Sequence, residues 1–259
     1  MARRSASAQG LGRVLQNVLI VPIELKGRTA IVTGASRGIG RATAIALAQA
    51  GVNLGLVARD ESALQQLHDE VASHGIHVAT AKYDFSSGDG IANLAEALVT
   101  ELGSIDGLVN NAGTFLECDL ADLSEDELKH VLQVNLVSPF MLTRELLPQL
   151  RESHGRVINV VSTSALQGYA QQSAYCASKA GLLGMMRALA IEEKPNGIRI
   201  NNLCPGGVDT DFINNTKLGE RLAGQVMIAP EDIGEMVVFL MQQPDNIDVS
   251  EMTIRRFTK

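Results

Sequence analysis

Tyr175 and Lys179 lie four residues apart in SAYCASKAGLLGMMRALA, residues 173–190. The apolar positions of this run (Leu182, Leu183, Met185, Met186, Leu189) predict a helix packed into a core. On a helix that spacing puts both side chains on one face, one turn apart. An ordinary phenol has a pKa near ~10 and gives up its proton poorly at neutral pH. A neighbouring ammonium favours the phenolate and brings the group toward the working range of a general acid or base. The same spacing also fits an ordinary surface pair with snorkelling stems, so its meaning depends on the elements that would position it.

Residues 29–33 (TAIVT) form a β-prone run, followed by GASRGIG at 34–40 and an alanine-rich helix over 41–50. Strand, glycine turn and helix in that order make the glycines informative. Gly34, Gly38 and Gly40 let the backbone turn tightly and approach a ligand, and the helix N-terminus offers free N–H groups to a phosphate. Ser36, Arg37 and Ile39 lie within this turn. A second strand over 52–58 ends at Ala58-Arg59. An acidic residue at this point suits the ribose hydroxyl of NAD, and an arginine suits the 2′-phosphate of NADP. Arg59, with Arg37 able to reach the same corner, therefore favours NADP(H) over NAD(H), and Asp60 is read as the N-cap of the helix over 61–74.

Further strands are predicted over 78–83, ending at Asp84; over 105–109, ending in Asn110-Asn111-Ala112-Gly113; over 157–161, ending at Ser162; over 197–203, ending in Pro205-Gly206 with Val208 and Thr210 beyond; and over 249–257. Helices are predicted over 91–102, 124–147 and 231–241. The long one opens on a capping box, Ser124 with Glu127. It carries Asn135 in its middle and a bend at Pro139. Strands alternating with helices predict one α/β domain, a doubly wound parallel sheet of about seven strands flanked by helices. Ligands of such sheets bind outside the carboxyl ends of the strands, where Gly34, Arg59, Asp84 and Asn111 all fall.

The chain has 259 residues, 46% of them hydrophobic, and a net charge of -7, which argues against non-specific binding of nucleic acid. No apolar run approaches the length of a membrane span. Cys118, Cys176 and Cys204 are widely spaced and read as reduced thiols. His74 and His77 flank Gly75 without a third ligand and read as loop residues, so no metal site is expected. Residues 1–24 contain Arg3, Arg4 and Arg13 and no acid before Glu24. They read as a loose or surface-docked extension of a cytoplasmic protein, with an organelle transit peptide as the alternative. The catalytic domain is expected over 25–259.

Over roughly residues 26–257 the chain resembles the short-chain dehydrogenase/reductase family, whose fold is Rossmann-type. Thr33, Gly34, Gly38 and Gly40 match its TGxxxGxG loop, and residues 110–113 match its NNAG. Ser162 precedes Tyr175 by the usual thirteen residues, Tyr175 and Lys179 match YxxxK, and Pro205-Gly206 with Thr210 matches the segment bordering the nicotinamide. The resemblance implies an NADP(H)-dependent oxidoreductase acting on a ketone or secondary alcohol. Tyr175 would be its acid or base and Ser162 the holder of the substrate oxygen. Lys179 would lower the Tyr175 pKa and hold the nicotinamide ribose, and Asn135 would support a proton relay. It also implies a homodimer or homotetramer. The motifs are most similar to 3-oxoacyl-carrier-protein reductases, so an acyl thioester is one expected substrate. Arginines that those enzymes often carry align with Ser153 and Asn196. Residues 246–252 resemble small hydroxy-acid and alcohol dehydrogenases instead. A non-catalytic NADP-sensing protein is the reading from another class, and it is disfavoured because Asn135, Ser162, Tyr175 and Lys179 are all kept.

Overall fold

In the computed structural model, which describes residues 22–257, the aliphatic runs form strands and the amphipathic runs between them form helices. Strand β1 (Thr29–Thr33) leads through the glycine turn to α1 (Gly38–Gln49). Then follow β2 (Asn53–Ala58), α2 (Glu61–Ala72), β3 (Val78–Lys82), α3 (Ile91–Leu102) and β4 (Gly107–Asn110). The second half runs α4 (Glu125–Leu132), α5 (Ser138–Glu152), β5 (Arg156–Val160), α6 (Ser173–Glu193) and β6 (Arg199–Pro205). Two short helices, α7 (Asp211–Asn214) and α8 (Lys217–Leu222), precede α9 (Pro230–Met241) and β7 (Glu251–Ile254).

The seven strands form one parallel sheet in the order β3-β2-β1-β4-β5-β6-β7. Successive side chains of a strand face opposite ways, and both faces are covered. Val32, Leu54 and Leu56 pack with Leu47, Leu64 and Val237 on one side. Ile31, Val57 and Leu108 pack with Leu98, Leu142, Leu146 and Leu182 on the other. The strand order reverses between β1 and β4, and that switch point opens a crevice at the carboxyl ends.

Register matters because a one-residue slip turns every side chain to the other face. Asn110, Asn159 and Asn202 stand opposite one another on β4, β5 and β6. Asn110 Nδ2 donates to Asn159 Oδ1 at 3.0 Å, and Asn159 Nδ2 donates to Asn202 Oδ1 at 3.1 Å. This buried amide ladder ties three strands in line just behind the crevice.

The structure differs from the sequence expectation at two elements. The helix expected over 124–147 is two helices joined by a π-helical turn, Gln133–Val137, which contains Asn135. Pro139 has no N–H to give to the carbonyl four residues earlier, so the α ladder cannot run on unchanged, and the chain widens by one residue instead. The last strand is four residues, not nine, because the chain leaves the sheet edge at Arg255. Of the expected extension, residues 1–21 lie outside the described residues. Ile23 N–H donates to the Gln242 carbonyl at 2.8 Å, beside the end of α9. No helix among the described residues is long and apolar enough to cross a membrane.

Candidate active site

A cavity of about 860 Å³ runs along the carboxyl ends of the strands. It reaches from Arg37, Arg59 and Asp84 at one end, past Asn111, Ala112 and Gly113, to Ser162, Tyr175, Lys179 and Pro205. Gly34, Ser36, Gly38 and Ile39 form its floor, and Gly206, Val208 and Thr210 line its far wall. Two expected residues, Gly40 and Asn135, stand behind this surface and do not line it.

The glycine turn is built for close approach. Gly34 has φ +65°, a left-handed conformation that disfavours a side chain. A Cβ on Gly40 would lie 2.2 Å from the Gly34 carbonyl oxygen, so Gly40 shapes the turn from inside. Thr33 Oγ1 accepts from the Asn111 and Ala112 N–H groups at 3.0 Å, and Asn111 Nδ2 donates to the Thr33 carbonyl at 2.9 Å. These bonds lock the loops after β1 and β4 together. Arg37 precedes α1 and makes no side-chain cap, so the first-turn N–H groups of α1 face the crevice without a side-chain partner. Free N–H groups at a helix N-terminus suit a phosphate, and the residues present fit the pyrophosphate of a dinucleotide. Asp60 accepts from Ala63 N–H at 3.0 Å, the capping role expected of it. Asp60 lines the cavity next to Arg59, with one carboxylate oxygen engaged in this cap. Asp84 Oδ1 accepts from Ser86 N–H at 2.9 Å, and this bond holds its carboxyl below the usual range.

At the other end Tyr175 and Lys179 leave α6 one turn apart, and both are buried. Lys179 Nζ donates to the Val160 carbonyl at 2.9 Å. Burial pulls its amine down to about 8. Burial also pushes the Tyr175 phenol up to about 12, and the Ser162 hydroxyl beside it offsets only part of that. The net direction is upward, opposite to the lowering expected of the tyrosine, because burial dominates. With these groups alone desolvation is the larger effect, and it disfavours the charged form of each.

Asn135 is 1% exposed and fully engaged. Its amide pairs both ways with Thr114, Oδ1 accepting from N–H at 2.8 Å and Nδ2 donating to the carbonyl at 2.9 Å. Nδ2 also donates to Ser178 Oγ at 3.0 Å. Gly113 lies between this amide and the ammonium: a Cβ there would be 3.3 Å from Asn135 Oδ1 and 3.8 Å from Lys179 Nζ. Asn135 thus fixes the backbone that carries Gly113 and Thr114 past Lys179.

Sequence reasoning missed several residues that line the cavity or hold its cover in place. Phe115 meets the Tyr175 ring edge-on at 5.0 Å, and Phe212 lies 6.3 Å from it, an apolar wall beside the phenol. Glu117 accepts from Leu218 N–H at 2.8 Å and pairs with Arg221, clasping α8 over the cavity. Arg255 and Arg256 line the same opening. Phe115 sits two residues beyond NNAG, which was a usable signal. Phe212 follows Thr210 by two residues and Glu117 follows Gly113 by four, while Arg255 and Arg256 come from chain folding back over a long sequence distance, which no local pattern reports.

A glycine turn between strand and helix, a Ser–Tyr–Lys set with its Tyr and Lys buried, and a parallel sheet with its crevice at the switch point define a dinucleotide-dependent oxidoreductase class. Residues 28–221 match the family model described as short chain dehydrogenase. The chain belongs to the short-chain dehydrogenase/reductase family and is an oxidoreductase of it. It is 33% identical over 225 residues to the 3-oxoacyl-(acyl-carrier-protein) reductase of Vibrio cholerae, covering 84% of this chain and 91% of that one. A short chain dehydrogenase from Burkholderia cenocepacia, solved in complex with NADP, superposes with a TM-score of 0.82 at 30% identity, covering 90% and 98% of the two chains. A metagenomic short-chain oxidoreductase, also in complex with NADP, gives 0.79 at 33% identity, covering 92% and 100%.

Proposed function

We propose that the protein is an NADP(H)-dependent reductase of a ketone, or dehydrogenase of the matching secondary alcohol, with Asn135, Ser162, Tyr175 and Lys179 as its working set. The observation that carries this reading is the Ser162–Tyr175 pair, which shares one cavity with the glycine turn and with Arg37 and Arg59. The two arginines, with Asp60 engaged as a helix cap, support NADP over NAD. The solved relatives in complex with NADP agree with it.

When bound, the nicotinamide supplies or accepts the hydride. Tyr175 holds the proton that passes to the carbonyl oxygen in reduction and returns from the hydroxyl in oxidation. Ser162 donates to the same oxygen, where negative charge develops. Burial disfavours a lone Tyr175 phenolate and a lone Lys179 ammonium alike, and forming both together compensates each. Lys179 therefore works as the phenolate's counter-charge.

A 3-oxoacyl thioester is the first substrate reading, from similarity to the carrier-protein reductase. A small 3-hydroxy-acid or alcohol dehydrogenase is the second, and one observation favours it. Ser153 Oγ is turned inward to the Ile105 carbonyl, Asn196 donates to Glu193, and Arg151 beside them is held by Glu193. That face therefore offers no uncommitted arginine to an acidic carrier. We further read residues 25–259 as one catalytic domain of a cytoplasmic homo-oligomer. Exposed Val137 and Phe140, and the small exposed residues Ala177, Ala180 and Gly184 on α6, support a second copy on this face.

The test is oxidation of NADPH, compared with NADH, by a 3-oxoacyl thioester and by small ketones. Tyr175→Phe should bind NADPH as the parent does and lose roughly 10²–10⁴-fold in turnover. Near-parental turnover would sink the assignment.

A further inference from the structure

Twelve arginines lie among the described residues. Seven pair with a carboxylate. Arg156 is buried and gives its guanidinium to the Gln243 carbonyl. The remaining four, Arg37, Arg59, Arg255 and Arg256, all line the cavity at the carboxyl ends of the strands. In a chain of net charge -7, uncommitted arginines are thus gathered at the cavity and at no other place among the described residues. Arg37 and Arg59 stand at the dinucleotide's ribose corner. Arg255 and Arg256 stand at the opposite end, where β7 runs beside β6.

Their position is fixed by the sheet. Gly206 N–H donates to the Ile254 carbonyl at 2.8 Å, which sets Arg255 against the end of β6. A Cβ on Gly206 would be 3.8 Å from both the Arg255 Cα and the Thr163 side chain, so Arg255 lies across Gly206 from the residue next to Ser162. Arg256 is held by neutral groups: Nη1 donates to Gln225 Oε1 at 2.7 Å and touches Met227 Sδ at 3.5 Å. Neutral partners orient a guanidinium and leave its charge uncompensated, the arrangement that suits an incoming carboxylate or phosphate. Phe115 and Phe212, which stand beside the phenol, line the same cavity as these arginines and give it an apolar stretch.

Building on the oxidoreductase reading above, we propose that the substrate carries an anionic group beyond an apolar segment, and that Arg255 and Arg256 receive it while the carbonyl meets Tyr175 and Ser162. The anion is the carboxylate of an oxo acid or the phosphate of a phosphopantetheine thioester.

The experiment compares a medium-chain 3-oxo acid with its methyl ester, and a 3-oxoacyl phosphopantetheine thioester with the same thioester lacking phosphate. In the parent protein the charged member of one pair should show a KM lower by roughly tenfold or more, and added salt should shrink that gap. The pair that discriminates names the source of the anion. Arg255→Ala/Arg256→Ala should erase the gap, Arg255→Lys/Arg256→Lys should keep part of it, and NADPH affinity should stay at the parental value. Equal KM for charged and neutral members in the parent would overturn the proposal. So would weaker NADPH binding in the alanine variant with the gap intact. Calorimetric titration of octanoate into the NADP⁺-saturated protein reads the same subsite without turnover. Binding lost in the alanine variant supports the proposal even if no ketone is reduced, a result that would count against the oxidoreductase reading alone. No octanoate binding together with no charge preference would overturn the subsite.

Discussion

Lys179 Nζ stands 5.9 Å from the centre of the Tyr175 ring and gives its hydrogen bond to the Val160 carbonyl of β5. The ammonium is thus anchored on the sheet beneath the phenol and held near the ring without being tied to its oxygen. Burial makes the arrangement costly, and the cost can be measured.

Burial holds the Lys179 amine at about 8, against an ordinary 10.5. Between those two values the unfolded chain binds the extra proton, so this residue's contribution to stability rises with pH across that window. Below it the buried ammonium opposes folding by on the order of 3 kcal/mol. Its bond to Val160 returns about 1 kcal/mol. Lys179→Met should therefore lose turnover yet match or exceed the parent in urea unfolding at pH 7, with any advantage fading as pH rises from 8 to 10.5. A variant clearly less stable than the parent at pH 7 would show that the lysine supports the fold.

Asn135 predicts the opposite. Its removal would leave the Thr114 N–H and carbonyl unpaired beside the cavity, each costing about 1–3 kcal/mol if it stays buried. Asn135→Ala should lower unfolding free energy by about 2–4 kcal/mol and loosen the backbone carrying Gly113 and Phe115. Amide exchange of Thr114 should accelerate well beyond that of β5. Unchanged exchange at Thr114 would mean that Asn135 does not position this loop.

Arg37 and Arg59 bear on cofactor choice. If each gives a charge-assisted bond to a 2′-phosphate, replacing either by alanine should weaken NADPH binding by roughly tenfold to a hundredfold. NADH binding should be nearly unchanged, and fluorescence titration of both cofactors decides the point. Equal weakening for the two would place these arginines on the shared pyrophosphate instead.

These contrasts mark what was legible in the sequence. The β1 turn, the strand ends at Arg59, Asp84 and Asn111, and the Ser162–Tyr175–Lys179 spacing were readable, because each is a local pattern tied to a strand or helix that positions it. The π-helical widening at Asn135 was half legible: Pro139 announced a disturbance but not its form, since a proline permits a kink, a break or a wider turn. The direction of the Tyr175 pKa was not legible, because it depends on how deeply α6 is buried, and spacing along a helix says nothing about that. Arg255 and Arg256 were missed because they reach the cavity through tertiary folding of a segment remote in sequence from the motifs, whereas Phe212, two residues beyond Thr210, and Glu117, four beyond Gly113, lie just past patterns that do not extend to them. No local pattern reports that the short helix Lys217–Leu222 is clasped by Glu117, 101 residues upstream of Leu218.

That clasp gives the remaining prediction. Glu117 is buried, and its carboxylate holds both Leu218 N–H and the Arg221 guanidinium, so α8 sits over the cavity with Leu218 and Leu222 facing inward. Arg221 is half exposed, so its bond is screened and worth about 1 kcal/mol, or roughly fivefold in the population with α8 docked. Arg221→Ala should raise KM and change kcat together, as expected of a segment that covers a site without taking part in the chemistry. Glu117→Ala should do so more strongly, because it also strands the Leu218 N–H. In both variants amide exchange should quicken over 211–225 and stay at the parental rate around Leu142 in the core. Parental exchange over 211–225 in both would show that α8 is held by its apolar contacts alone and that the clasp contributes nothing to covering the site.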